Sequence, residues 1–239
     1  MSSLDAVLAR DRLVDLTQPL GPATVLWPGS APFEAVIECD YDTYDSYSRE
    51  LRLPEHSGTH IDAPAHFAHD GLTTDQIPID ALVRPAVKLD VRDRVGDNPR
   101  YELDAAAVEA LEAADGRIPP GSVVLVHTGW DARHADPAAY AGDDGLAFPG
   151  LARGAARLLV DRRVAGIGIG IDTLGVDPGH AEGFPVHRIT LPAGLWHLEG
   201  LVNLERLPAR GAWIVVAALP VVAGSGAPAR VLAVLPADA

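Results

Sequence analysis

Three histidines and an aspartate fall within eleven residues of one another: His56, His60, Asp62 and His66, in the run Glu55-His-Ser-Gly-Thr-His-Ile-Asp-Ala-Pro-Ala-His-Phe67. Imidazole nitrogen and carboxylate oxygen are the donors that suit zinc, manganese or iron. A bound divalent ion lowers the pKa of water and polarises a carbonyl. A nearby imidazole, with an ordinary pKa of roughly 6.5, can take and return a proton at neutral pH. The run therefore reads as half of a metal site with a base beside it.

Spacing decides how these side chains are presented. Histidines four apart could share a helix face, as in the His-Glu-x-x-His zinc proteases, but Ser57 stands where that motif needs glutamate. Gly58, Thr59, Ile61 and Pro64 also disfavour a helix. In an extended chain alternate side chains share a face, and His56, His60, Asp62 and His66 are all even-numbered. A strand through Ile61 that bends at Pro64 would aim at least the first three at one point, with Gly58 leaving room. His69 precedes the turn signal Asp70-Gly71 and reads as loop surface.

Further along, Asp172, Asp177, His180, Glu182, His187, His197 and Glu199 are all candidate ligands. Distance along the chain does not rank them. On a strand His197 and Glu199 would share a face, with His197 either pointing inward or supporting a ligand from outside.

The run His56-x-Gly-Thr-His60-x-Asp62-x-Pro-x-His66 resembles, at every defined position, the signature of the cyclase family, which includes bacterial kynurenine formamidases and isatin hydrolases. The resemblance covers most of the chain: Val14-Asp-Leu-Thr-Gln-Pro-Leu20, Trp27-Pro-Gly29, Glu199-Gly-Leu-Val-Asn203 and Gly226-Ala-Pro-Ala-Arg230 are similar to its opening and closing segments. It implies a swivelling β/β/α fold, with His56, His60 and Asp62 as ligands of a divalent metal and His66 as acid/base. It also implies His187 and Glu199 as partners of Asp62 at a second ion in the formamidase branch; isatin hydrolases are associated with a single manganese. Zinc or manganese, as one or two ions, is the expected cofactor. Trp27 is expected in the pocket wall, which in some relatives a neighbouring subunit completes, and a homodimer or higher homo-oligomer is implied. Ser30 departs from the family, because formamidases commonly carry aspartate after that Pro-Gly pair. Phe184 and Trp196 flank the second group of ligands, and Phe184 and Ser225 join Trp27 as expected substrate contacts. Ordinary packing is expected of Trp130 and Trp213.

The elements that position these residues read as mixed α/β, with a β-rich core and a few flanking helices. Arg12–Leu16, Phe33–Cys39, Val87–Val91, Val123–His127, Val164–Ile171, Ala212–Leu219 and Arg230–Leu235 are short, β-branched and bounded by turn residues, and are expected as strands. Asp104–Ala114 is expected as a helix, with Asp104 as N-cap and Gly116 just past its end. Gly150–Arg163 is expected as a second helix, amphipathic through Leu151, Ala155, Leu158 and Leu159. Asp80–Val83 reads as one helical turn. In Gly166-Ile-Gly-Ile-Gly170 the glycines alternate inside a strand with no helix start behind them, which argues against a phosphate loop and for close packing on one face.

Composition bounds the rest. The chain has 239 residues, 48% hydrophobic, with 23 glycines and 20 prolines spread through it. No linker, repeat or low-complexity run divides it, so residues 1–239 are expected to form one domain. A formal net charge of −14 disfavours nucleic acid and anionic membrane partners. The single cysteine, Cys39, precludes an intrachain disulfide, fits a reducing compartment and is expected to be a small buried residue. The start of the chain lacks a signal peptide's features, and no apolar run reaches spanning length, so cytoplasmic residence is expected. The absence of a Gly-x-Ser-x-Gly elbow disfavours a serine hydrolase; Ala223-Gly-Ser-Gly-Ala-Pro228 reads as a turn before the last strand.

The function that follows is metal-dependent hydrolysis of a non-peptide amide C–N bond in a small molecule, an aryl formamide such as N-formylkynurenine or a cyclic amide such as isatin. A lactone hydrolase or cyclase could use the same metal and base. A binding protein that has lost turnover would not need His66.

Overall fold

A computed structural model describes residues 9, 12–142, 146–161 and 168–237. Its strands are β1 (Leu13–Asp15), β2 (Glu34–Cys39), β3 (Ser48–Arg52), β4 (His60–Asp62), β5 (Val83–Asp90), β6 (Glu102–Leu103), β7 (Val123–His127), β8 (Gly150–Leu151), β9 (Gly168–Ile171), β10 (Trp196–Glu199), β11 (Arg210–Ala218) and β12 (Gly226–Val234). Eight of them form one sheet in the order β1-β12-β11-β5-β7-β9-β10-β4, and β4 also pairs with β12, so the sheet closes on itself as a barrel. Strands β5, β7, β9 and β10 run parallel to one another, and β4 is antiparallel to both of its neighbours.

Side-chain alternation divides the core into two layers. Along β7, Val123 and Leu125 join Ile61, Leu198, Ile214 and Val231 in one cluster. Val124 and Val126 face the other way and pack with Ile169, Ile171, Val108, Ala155 and Leu159 beneath the helices Ala105–Asp115 and Arg153–Asp161. The glycine alternation in β9 has a matching cause. A side chain at Gly168 would enter the Trp196 ring, and one at Gly170 would strike Leu125 and Leu201. The smooth face thus lets β10 lie flat against β9. Gly166 and Ile167 lie outside the described residues.

Asp172, just past β9, anchors the turn that follows its neighbour β7. Its buried carboxylate accepts from Thr128 N (2.9 Å), Thr128 Oγ1 (2.7 Å), Gly129 N (2.7 Å) and Trp130 N (3.1 Å). Burial pushes its pKa up to about 7 against the pull of these donors.

Several elements differ from expectation. Gly150–Leu151 is a strand rather than the first turn of a helix, because Leu103 and Leu151 pair in a two-strand ribbon; the helix starts at Arg153 and its expected end at Arg162-Arg163 lies outside the described residues. Strand β12 begins at Gly226, so the last strand takes in the end of the expected turn. The turn at residue 80 is a 3₁₀ turn over Ile79–Ala81, and Val83 already belongs to β5. Strands β3 and β10 carry too many charged or mixed residues to stand out from the sequence. Helix Ala105–Asp115 forms as expected, with Asp104 Oδ1 accepting from Ala107 N at 2.7 Å. Trp130 is buried and donates from Nε1 to Tyr140 O, but Trp213 is 49% exposed on the outer face of β11, not packed under a loop. Cys39 ends a solvent-facing hairpin strand and is only half-buried, not a core residue.

Replacing Asp172 with alanine leaves three backbone N–H groups, two of them buried, and a buried hydroxyl without their acceptor, each buried group costing about 1–3 kcal/mol. Asp172→Ala is expected to lower stability by at least ~3 kcal/mol in urea unfolding; a loss under ~1 kcal/mol would show that water replaces the carboxylate.

Candidate metal centre and active site

Two adjacent antiparallel strands supply the centre of the site. His60 and Asp62, two apart on β4, face the same way, and β10 sets Glu199 opposite His60 and His197 opposite Asp62. All four are buried. His187 arrives from the short helix His187–Thr190. His56 approaches from the loop before β4, over Gly226 of β12; any side chain at Gly226 would collide with the His56 ring. His66 sits in the 3₁₀ turn that begins at Pro64, the predicted bend, with its ring centroid 4.1 Å from that of His56.

Asp62 is the hub. Its Oδ1 lies 2.7 Å from His56 Nδ1 and 3.2 Å from His60 Nε2; its Oδ2 lies 3.2 Å from His187 Nε2 and 3.5 Å from His197 Nδ1. Glu199 adds Oε2 at 3.5 Å from His60 Nε2 and Oε1 at 3.3 Å from His187 Nε2, while Oε1 also accepts from Val176 N.

The outer partners of the four imidazoles fix where their hydrogens are. His60 Nδ1–H donates to Gly58 O (2.9 Å), an atom that can only accept. His187 Nδ1–H donates to the Asp177 carboxylate (2.6 Å), whose other oxygen accepts from Val186 N. The Thr190 hydroxyl spends its hydrogen on Val186 O, so His197 Nε2–H donates to Thr190 Oγ1 (2.7 Å). Likewise Ser225 Oγ–H donates to Glu55 Oε2 (2.7 Å), so His56 Nε2–H donates to Ser225 Oγ (3.0 Å). A neutral imidazole has one N–H. All four inner nitrogens therefore present lone pairs to the carboxylates of Asp62 and Glu199.

Lone pairs facing carboxylate oxygens repel one another unless a cation or protons intervene, and outward N–H groups held by second partners are how proteins prepare histidine for a metal. His197 Nδ1, buried and with no hydrogen bond, is the clearest case. The residues fit a divalent ion: four imidazole nitrogens and two carboxylates, all buried but the half-buried His56, with no competing lysine or arginine among the described residues of the wall. The ligand atoms of Asp62, His187, His197 and Glu199, and separately those of His56, Asp62 and His66, lie within 4.8 Å of one another.

Without metal, protons do the same work. Burial alone would lower His60, but Asp62 and Glu199 outweigh it and raise its pKa to about 9. Burial likewise opposes charge on His187, yet Asp177, Asp62 and Glu199 lift it well above the ordinary range. Burial favours the neutral acid of Asp62, but the imidazoles of His187, His197, His56 and His60 gathered around it hold it well below the usual carboxylate range. His66 behaves differently: partial burial, reinforced by His56 and His187, lowers it to about 4 against Asp62. The residue is nonetheless exposed to solvent.

The centre forms the floor of a cavity of about 270 Å³ walled by Val25, Trp27, Ser30, Phe67, Leu174 and Phe184. Trp27 and Phe184 meet at 5.3 Å between ring centroids, Phe67 and Phe184 at 5.6 Å. Phe184 holds a left-handed backbone conformation (φ 53°), a strained choice for an aromatic residue and of the kind found at functional sites. The structure thus brings together His56, His60, Asp62, His66, His187, Glu199, Trp27 and Phe184. Ser225 is not in the wall: it stands behind His56 and orients it. His180 pairs with Glu102 at the surface, and His69 is exposed. Along the chain alone His197 is one candidate ligand among several, and nothing singles out Phe67 or Glu55. The signal for His197 was its two-residue spacing from Glu199; for Glu55 and Phe67 only the fold supplies one.

A family model described as Putative cyclase matches residues 14–178. The chain belongs to this cyclase family. The isatin hydrolase of Roseibium aggregatum is 33% identical over 94% of this chain and 92% of its own length. A kynurenine formamidase of Salinibacter ruber is 30% identical over 91% of this chain and 95% of its own. Among solved structures, isatin hydrolase A from Ralstonia solanacearum superposes with a TM-score of 0.91 at 36% identity, covering 98% of this chain and 96% of that one. With a complete donor set in such company, this cyclase-family chain is a metal-dependent hydrolase of non-peptide amide C–N bonds.

A metal held by His60 and His187 would have to displace the protons that raise their charge near neutrality. Titration of the metal-free protein at pH 7 is expected to release protons, seen as a binding heat that changes with the buffer's ionisation enthalpy. In the metal-free protein the raised His60 contributes stability that is complete below about pH 6.5 and lost as pH rises through about 9. Chelation is also expected to lower the thermal midpoint, and Asp62→Asn to abolish its recovery on adding metal; an unchanged midpoint would rule out a resident ion.

Proposed function

We propose that His56, His60, Asp62, His187 and Glu199, joined by His197, hold one or two zinc or manganese ions, and that His66 is the acid/base. Six donors exceed what a single four-coordinate zinc takes and suffice for one six-coordinate ion or for two. A divalent ion held there would supply the Lewis acidity that makes water nucleophilic and a carbonyl electrophilic. The remaining steps belong to the chain. His66 is neutral at working pH, so it starts the cycle as a proton acceptor and afterwards delivers that proton to the leaving amide nitrogen. The Glu55–Ser225–His56 chain and the Asp177–His187 pair keep the other imidazoles from turning. The Trp27, Phe67 and Phe184 rings hold a planar substrate and exclude bulk water.

The substrate we infer is an uncharged cyclic aryl amide such as isatin. The observation that carries this reading is the wall of the cavity, which is apolar and aromatic apart from Ser30 and the groups of the centre. Among the described residues it offers no cation or free carboxylate to pair with the ammonium and carboxylate of N-formylkynurenine, and burying those charges unpaired is costly. The closer identity to isatin hydrolases points the same way.

The chain is taken as one domain that works in the cytoplasm as a homodimer or higher homo-oligomer. The β2–β3 hairpin supports assembly, because it leaves Val36, Ile37, Tyr41, Tyr44, Tyr47 and Leu51 exposed, an apolar patch of the kind that marks an interface. Its single cysteine suits a reducing compartment. Among the described residues, no helix is long and apolar enough to cross a membrane.

Absorbance assays on the metal-loaded protein are expected to give a kcat/KM for isatin at least about tenfold above that for N-formylkynurenine, a difference of about 1.4 kcal/mol. The reverse order would make the protein a formamidase, and turnover of an aryl lactone alone would replace the amide reading. His66→Ala is expected to cut kcat by roughly 10²–10⁴ while metal content stays unchanged; loss of metal instead would make His66 a ligand.

A further inference from the structure

We propose that a second divalent-cation site, separate from the catalytic centre, lies where β7 ends, with His127, Asp131 and Glu205 as its ligands. Ligand atoms of these three residues lie within 4.8 Å of one another, and they line a pocket of about 330 Å³ that shares no residue with the catalytic cavity. His127 is the last residue of β7; Asp131 follows in the 3₁₀ turn Trp130–Arg133, and Glu205 comes from the 3₁₀ turn Leu204–Arg206.

The state of His127 makes this more than a gathering of acids. It is 1% exposed, yet neither ring nitrogen makes a hydrogen bond. Nδ1 stands 3.7 Å from Asp90 Oδ2, and Nε2 faces Asp131 Oδ1 at 4.0 Å, too far for a hydrogen bond in either case. Nδ1 is fully buried, and a buried ring nitrogen left idle loses what it had in water unless the ring is bound in some other way.

The nearby cations do not fill this need. Arg92 is taken up by both oxygens of Asp90, and Lys88 donates to Leu204 O and lies 3.9 Å from Asp90. Among the described residues only His127 comes within 4.0 Å of the Asp131 or Glu205 carboxylates as a charge partner. Asp131 Oδ2 is steadied by Asn203 N at 2.9 Å. One imidazole and two carboxylates without thiolate suit zinc or manganese. An ion here would clamp the loop after β7 to the segment that follows Glu199, while leaving the catalytic residues unchanged.

The test uses the enzyme with its resident metal in place. Calorimetric titration with zinc chloride, repeated with manganese chloride, is expected to show one further equivalent bound by the wild type. Glu205→Gln, an exposed position, should weaken that event by more than the roughly 10–100-fold that loss of an outer-shell partner costs, and leave turnover as it was. His60→Ala, crippled at the catalytic centre, should keep the additional equivalent. Equal isotherms for wild type and Glu205→Gln, or no binding below millimolar concentration in the wild type, would overturn the assignment. Loss of the event in His60→Ala with its retention in Glu205→Gln would return the extra ion to the catalytic centre.

Discussion

One buried carboxylate, facing four imidazoles that all turn their lone pairs towards it, is the constraint on which the rest of the architecture depends. Asp62 cannot hold that arrangement by itself. Each imidazole is locked from outside by a different part of the chain: a backbone carbonyl at Gly58, a carboxylate at Asp177, a hydroxyl at Thr190 and a hydroxyl at Ser225. Charge enclosed in apolar surroundings is tolerated only when it is answered locally. The surrounding sheet puts such answers within reach. It does so by setting two short strands side by side, so that a two-residue spacing on each becomes a square of donors.

Much of this was legible along the chain. The even spacing of His60 and Asp62, with a breaker at Pro64, foretold that the two face one way, because strand geometry follows from alternation; His56, expected on the same strand, instead reaches the centre from the loop before it. His66 lies just past that breaker, beside His56. Strand β7 and the helix capped by Asp104 were readable for similar reasons, one as a β-branched run and the other from its cap. What stayed hidden depends on pairing between distant segments. His197 and Glu199 lie on a strand whose sequence, Trp-His-Leu-Glu, carries no strand signature; only its register against β4 shows that both face inward. Gly150-Leu151 looks like a helix start until Leu103 is placed beside it. Ser225 reads as a turn serine, and its bond to His56 joins residues 169 positions apart.

The cavity follows from the same economy. Aromatic residues are few, 5% of the chain, yet Trp27, Phe67 and Phe184 come from three separate segments to stand around one opening. Phe184 accepts an unfavourable backbone angle to do so. Local comfort is given up where shape matters, while the two apolar clusters on either side of the sheet supply the stability that permits it.

Closure of the barrel rests on β12 meeting β4, strands separated by more than half the chain, and Gly226 on β12 leaves the space that the His56 ring occupies. The histidine-rich run can therefore be made early in synthesis and still lack its socket until residue 226 has emerged and paired. Contacts so remote in sequence form slowly. Any ion held there in full coordination would then be captured late in folding, and a ribosome-bound chain halted before that last strand would carry the motif without the completed site.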